Sequence, residues 1–308
     1  CSLGKNMCAY AKLKIIDKKE YFQTLYGHSK DGLILLKEYF RINSKLIDEF
    51  CNHWHIDAEK FRRNLFLAVA LHDIGKLTKE FQANIQANKT SSKHPHPFFA
   101  LPILAGFQWD YILDYPIELC AILGHHTQLY REIYNSLKIA KEVRYLDEEI
   151  HNYFKHKVKQ LYDECGFNEW FKLPGIKAPE ILHLRQEQIQ DRFIKGNLLK
   201  FNFSPKERYF IKSVFSFFFS ILQTCDDYAS AHFSQFIENE KPTELIFDAV
   251  LMSPEKYVYN LDYSTDEWKR LLLGSHEPYQ FQKELIEKKP YCGFLFAPCG
   301  RGKTEAAL

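Results

Sequence analysis

No run of apolar residues in this chain approaches the roughly 20 that a membrane-spanning helix requires. The most apolar stretch, Val214 to Leu222, is broken by serines and bounded by Lys212 and Asp226, and it reads as a buried helix. Paired cysteines are missing as well. The eight cysteines, at 1, 8, 51, 120, 165, 225, 292 and 299, form no C-x-x-C pair, and a chain with 46% hydrophobic residues can build a core without disulfides. They read as reduced thiols, which points to the cytoplasm. An excess of one charge is lacking too. With 41 Lys and Arg against 39 Asp and Glu, the net charge is +2, and no global field announces a nucleic-acid partner. Local basic clusters exist at Lys12, Lys14, Lys18 and Lys19, at Lys155, Lys157 and Lys159, and at Lys200, Lys206, Arg208 and Lys212. Such runs read as solvated faces. There is no internal repeat, no low-complexity tract and no signal peptide, and Cys1 in place of an initiator Met fits a trimmed start.

What is present is helical periodicity. Leu36, Phe40, Ile47 and Phe50 fall near one face of a helix over residues 33–50. Residues 61–71 form a nearly all-apolar helix running into His72-Asp73-Ile74-Gly75, with Gly75 as its expected stop. Pro116 can open the helix carrying Ile117, Leu119 and Ile122 into Gly124-His125-His126. Ser204-Pro205-Lys206-Glu207 is a capping box, and its helix carries Phe210, Val214, Phe217, Phe218, Ile221 and Leu222 to an end at Asp226. The fold class is therefore mostly α.

Polar residues at the ends of these apolar helices carry the chemistry. Two apolar helices deliver His72-Asp73 and His125-His126 into the interior, where buried polar groups need partners. His28, His96 and Asp226 complete a set of seven. Neutral imidazole and carboxylate suit Mn, Fe, Co, Ni or Zn, and this many ligands suggests two adjacent divalent ions, an arrangement that hydrolyses phosphodiesters. His94 competes with His96 and Asp227 with Asp226, while His53, His55, His151, His156, His183, His232 and His276 read as ordinary packing or surface residues.

The organisation changes near residue 261. Tyr291 to Phe296 reads as a short buried strand, followed by Ala297-Pro298-Cys299-Gly300-Arg301-Gly302-Lys303-Thr304 and a helix-prone Glu305-Ala306-Ala307. Strand, Gly-rich loop and helix are the context of a phosphate-binding loop. Gly300 and Gly302 let backbone N–H groups face phosphate oxygens, Lys303 neutralises their charge, and Thr304 can hold Mg²⁺. The Ala-led loop resembles that of superfamily 2 helicases, and Gln280 resembles their adenine-reading glutamine. The expected organisation is an HD-type all-helical domain over 1–261 and the truncated start of a RecA-like α/β lobe over 262–308. That start should hold phosphate without turning over ATP, since the sequence contains no second strand or acidic metal motif after it.

Taken in order, Gly27-His28-Ser29, Leu71-His72-Asp73-Ile74-Gly75-Lys76, His96-Pro97-Phe98-Phe99-Ala100, Gly124-His125-His126 and Asp226-Asp227-Tyr228-Ala229-Ser230 resemble the motifs of the CRISPR-associated HD nuclease–helicases, the effectors of type I CRISPR interference. The family's closing Asp lies four residues before a Ser, which selects Asp226. The resemblance implies one ion held by His28, His72, Asp73 and Asp226, and a second held by the bridging Asp73 with His96, His125 and His126. It assigns Asp73 and Lys76 catalytic roles, Lys76 by neutralising phosphate. It further implies a metal-dependent nuclease cleaving single-stranded DNA, Mg-ATP for the full-length helicase, an RNA-guided CRISPR surveillance complex as partner, and no membrane. Two other readings remain open at this point. One is an HD-type nucleotide phosphohydrolase, against which the attached phosphate-binding loop argues. The other is a catalytically inactive docking module.

Overall fold

The computed structural model describes residues 9–89, 95–126, 142–181, 185–189, 203–239, 280 and 282–284. The backbone divides into two compact units, Cys1–Leu251 and Met252–Leu308. In the second unit the described residues are helical, and Gln280 is exposed, with its Nε2 3.4 Å from Glu284 Oε1. Gly300, Gly302, Lys303 and Thr304 lie outside the described residues.

The first unit opens with an antiparallel hairpin of β1 (Tyr10–Ile16) and β2 (Lys19–Thr24). Asp17 and Lys18 turn it with φ of 50° and 66°, the paired left-handed conformations of a two-residue hairpin turn. Lys12, Lys14, Lys18 and Lys19 read in the sequence as a solvated face, but the alternation Lys12-Leu13-Lys14-Ile15 is that of a strand.

Helices follow: α1 (Leu25–His53), α2 (Ala58–Leu71), α3 (Lys79–Gln86), α4 (His96–Leu104), α5 (Ile117–Gly124), α6 (Asp147–Asn152), α7 (Val158–Cys165), α8 (Gln186–Ile189) and α9 (Pro205–Asn239). A 3₁₀ turn, Ile74–Lys76, joins α2 towards α3. The mostly α, HD-type class is the one the sequence implies, with the hairpin added. Helix α1 begins well before Leu33 because Thr24 caps it, its Oγ1 accepting from Gly27 N at 3.0 Å. That start puts His28 in the opening turn. Helix α9 begins with the expected capping box: Ser204 N donates to Glu207 Oε2 at 2.8 Å and Glu207 N to Ser204 Oγ at 3.3 Å. It does not end at Asp226. Nothing between Asp226 and Asn239 breaks a helix, so Asp226 lies in its interior.

Helix α1 packs on both α2 and α9, and α5 also meets α9. Their apolar faces form one core, with Phe40, Phe61, Phe66, Phe167 and Phe218 fully buried. Burying side chains of this size contributes on the order of 2 kcal/mol each. Gly32 brings the three long helices together near the site. A Cβ there would stand 3.2 Å from both Cys225 O and Val69 Cγ1. Among the described residues no helix is long and apolar enough to cross a membrane.

Gly75 has a different reason from the expected one. Helix α2 has already ended at Leu71, and among the described residues the glycine with positive φ is Gly166. Gly75 is there for space: a Cβ would lie 1.9 Å from His96 O and 2.7 Å from Ala100 N. The 3₁₀ turn thus rests directly on the first turn of α4. Gly75→Ala should push α4 away and destabilise the fold by about 3 kcal/mol, the upper range of overpacking. Thermal unfolding measures this, and an unchanged melting temperature would show that the turn and α4 are not in contact.

Glu118, on α5, is fully buried. Its Oε1 accepts from Asn64 Nδ2 at 2.7 Å and Ile112 N at 2.8 Å, while Oε2 has no partner among the described residues. Burial pushes its carboxyl above the ordinary value. A folded-state pKa above the unfolded one means its stabilising contribution is complete below about pH 4 and is lost as pH rises through the folded value. Glu118→Gln should therefore melt higher than wild type at neutral pH, with the gap closing in acid. Melts at two pH values test this; a gap that widens in acid would reverse the sign.

Candidate metal centre

Four helix ends and one helix interior supply the site. His72 and His125 follow the last residues of α2 and α5, where carbonyls lack helical N–H partners. Each imidazole turns back onto such a carbonyl. His72 Nδ1 lies 2.8 Å from Val69 O, and His125 Nδ1 lies 2.5 Å from Ile122 O. His28 Nδ1 similarly meets Gln23 Oε1 at 3.1 Å. A carbonyl oxygen only accepts, so each Nδ1 carries the proton and each Nε2 presents a lone pair to the interior. Metal-ligating histidines are oriented in this way.

The three Nε2 atoms converge on two buried carboxylates. His28 Nε2 is 3.0 Å from Asp226 Oδ1 and 3.3 Å from Asp73 Oδ2. His72 Nε2 is 3.6 Å from each of those same oxygens. On the other side of Asp73, Oδ1 lies 2.8 Å from His96 Nε2 and 3.6 Å from His125 Nε2. His126 stands at the rim, 43% exposed, with Nδ1 4.0 Å from Asp226 Oδ2. Its ring centroid is 4.9 Å from that of His96. The Phe81 ring stands edge-on to His96 and steadies it.

All seven expected ligands are therefore together. Their ligand atoms form three compact groups: Asp73 with His96, His125 and His126; His28 with His72 and Asp73; and His72 with His125 and Asp226. Asp226 stands closest to His28 but groups with His72 and His125. Of the competing neighbours, Asp227 is exposed and accepts from Gln223 Nε2 at 3.1 Å, while His94 lies outside the described residues. One helical step of about 100° separates the two aspartates, and the buried face takes Asp226. Lys76 Nζ contacts Asp73 Oδ2 at 2.5 Å.

The electrostatics are those of a site built for cations. Burial would raise the Asp73 carboxyl, but Lys76, His72 and His96 outweigh it and hold it well below its ordinary value. Asp226 likewise lies far below, with burial opposed by His28 and His72. Burial pulls the His72 imidazole down, yet Asp73 and Asp226 together raise it. Burial depresses His28 and, with Lys76, holds His96 well below its ordinary value. Burial and the neighbouring His125 push His126 down to about 4. Two polar atoms remain unsatisfied. Among the described residues His72 Nε2 has no hydrogen-bond partner, and neither has Asp73 Oδ1, because His96 stands close to it without hydrogen-bond geometry. Buried orphans of this kind are costly. Both are ligand atoms aimed at the same space, so a divalent cation fits the residues present.

Residues 10–179 match the family model of the Cas3 HD domain. The chain belongs to that family. It is 45% identical over 244 residues to the putative CRISPR-associated nuclease/helicase Cas3 of Methanocaldococcus jannaschii, a match covering 77% of this chain and 33% of that protein. The chain thus spans about a third of the relative's length. The crystal structures of T. fusca Cas3 with AMPPNP and with ADP overlay 98% of this chain and 33% of theirs, at 16% identity and TM-scores of 0.41 and 0.40.

Residues outside the motifs hold these side chains in place. Gln23, on β2, fixes the His28 tautomer and also donates through Nε2 to Asp31 Oδ2 at 2.9 Å. Lys12, on β1, is hydrogen-bonded to Ser230, whose hydroxyl donates to Asp226 O at 2.8 Å. The signal was the period-2 alternation of the hairpin. Asp226→Asn should lower metal affinity by more than about 100-fold, beyond the usual loss for an outer-shell partner. Asp227→Asn should keep most of it. Titration with Mn²⁺ by calorimetry distinguishes them, and the reverse order would move the ligand to Asp227.

Proposed function

We propose that this chain is a metal-dependent nuclease that cleaves single-stranded DNA in type I CRISPR interference. The observation that carries the reading is the sharing of Asp73 between two compact ligand groups, one on each carboxylate oxygen. His28, His72, Asp73 and Asp226 would hold one ion, and Asp73, His96, His125 and His126 the other. Two ions of Mn, Fe, Co, Ni or Zn would supply Lewis-acid activation of water and charge stabilisation at the leaving oxygen.

The chain's own residues do the rest. The carbonyls of Val69 and Ile122 and the amide of Gln23 lock three imidazoles before substrate arrives. Preorganised ligands need no rearrangement at the moment of reaction. Lys76 balances the Asp73 charge and adds a cation beside the position a phosphate would take. The apolar ends of α2, α4 and α5 keep bulk water from the inner ligands, while the exposed His126 marks the open side. The name of the M. jannaschii relative joins nuclease to helicase. By that likeness, residues 262–308 begin a superfamily 2 helicase lobe. In the full-length protein Gln280, Gly300, Gly302, Lys303 and Thr304 would bind Mg-ATP, and an RNA-guided surveillance complex would recruit the enzyme.

The test is Asp73→Ala. The folded wild type should carry about two transition-metal ions per chain and degrade single-stranded DNA without ATP. The variant should lose cleavage and metal while retaining the helical circular dichroism of wild type. At most one ion in wild type after Mn²⁺ or Ni²⁺ loading would sink the shared-carboxylate reading. So would wild-type cleavage rates in the variant.

A further inference from the structure

The hairpin carries chemistry that the metal centre does not use. Its register sets Lys12 opposite Gln23, Lys14 opposite Tyr21 and Ile16 opposite Lys19. Directly paired residues share a face. Lys12, Tyr21 and Lys19 therefore stand on one face, from base to tip. The base is fixed at the centre on two sides. Gln23 reaches His28 and Ala229 O, and Lys12 reaches Ser230 beside Asp226. On a third side, Tyr10 N donates to Gln82 Oε1 at 2.9 Å, and Gln82 Nε2 donates to Lys76 O at 3.0 Å.

Lys12 differs from Lys76 in what it touches. Lys76 spends its charge on Asp73. Lys12 is half-buried, and among the described residues its partner is a hydroxyl rather than a carboxylate. Its ammonium thus has no carboxylate in hydrogen-bond contact among the described residues, and burying a charge is costly without an opposite charge directly beside it. Burial and Lys76 push its pKa down while Asp226, Asp73 and Asp227 push it up, so it sits in the field of the centre. An anion at the mouth would complete its environment. Farther out, the Lys19 ammonium lies 4.9 Å from the centroid of the Tyr21 ring, and Lys19 is exposed at the tip. Same-face positions along a strand advance by roughly 6.6 Å, a step an extended nucleic-acid chain can follow. Basic and aromatic side chains alternating along such a path are what single-strand binding uses.

We propose that this face of the hairpin is a track for single-stranded nucleic acid, with Lys12 holding the phosphate next to the metal centre and the Lys19–Tyr21 pair engaging the strand farther out. The proposal rests on the nuclease reading above. Its test is binding of a fluorescent phosphorothioate oligothymidine to the metal-loaded full chain at several salt concentrations. The double variant Lys19→Ala/Tyr21→Ala should weaken binding about tenfold and flatten the salt dependence by roughly 0.7 in log–log slope for the one lysine removed. The loss should be larger for a long strand than for a dinucleotide. Lys12→Ala should also weaken binding, and Lys12→Arg should restore part of it; thermal melts confirm that each variant is folded. If wild type binds and cleaves strands but folded variants match it in affinity and slope, the track is wrong and the nuclease reading stands. Equal losses on duplex DNA would overturn the single-strand assignment. If wild type neither binds nor cleaves strands and instead hydrolyses nucleoside triphosphates, both readings fall.

Discussion

A carboxylate at 1% exposure keeps its charge only beside a cation, and Lys76 supplies one against Asp73 while imidazole nitrogens gather around both of its oxygens. Lys76 approaches one oxygen, His28 and His72 flank that same oxygen, and His96 and His125 flank the other. Remove the carboxylate and these groups become mutually repelling or unsatisfied donors and acceptors in a dry pocket. The packing of α1, α2, α4, α5 and α9 can be understood as what brings those groups within reach of one side chain.

Helix termini make this affordable. A helix that ends inside a protein leaves carbonyls in need of donors. Here α2 and α5 each end on a histidine that supplies a donor to the carbonyl three residues back. The same bond that satisfies the helix end selects the tautomer and aims Nε2 inward. Structural need and ligand orientation are met by one interaction, twice. The tight seat of Gly75 on α4 sets where His96 stands relative to Asp73, so a backbone contact controls the spacing of the second ligand group.

The hairpin changes the shape of the site from a buried cluster to a cluster with a wall. Through Gln23 it orients His28, and through Lys12 it adds a second lysine to the region of Asp226. Two lysines near two carboxylates offset part of their negative charge within the protein.

The local sequence determined much of this. The apolar runs ending in His72-Asp73 and His125-His126, the capping box at Ser204 and Pro116 before α5 were legible because helix ends and caps are governed by residues within a turn of one another. The motifs shared with the family singled out the seven residues whose side chains converge. Tertiary structure decided what depends on distant residues meeting. It put Asp226 on the interior face of a helix that runs on to Asn239, because nothing in the chain breaks it there. It gave Gly75 the role of admitting the His96 backbone, a contact across twenty-one residues that no local rule encodes. It turned a lysine-rich segment into a strand whose inner face touches the centre, since a period of two says which residues share a face but not what that face will meet.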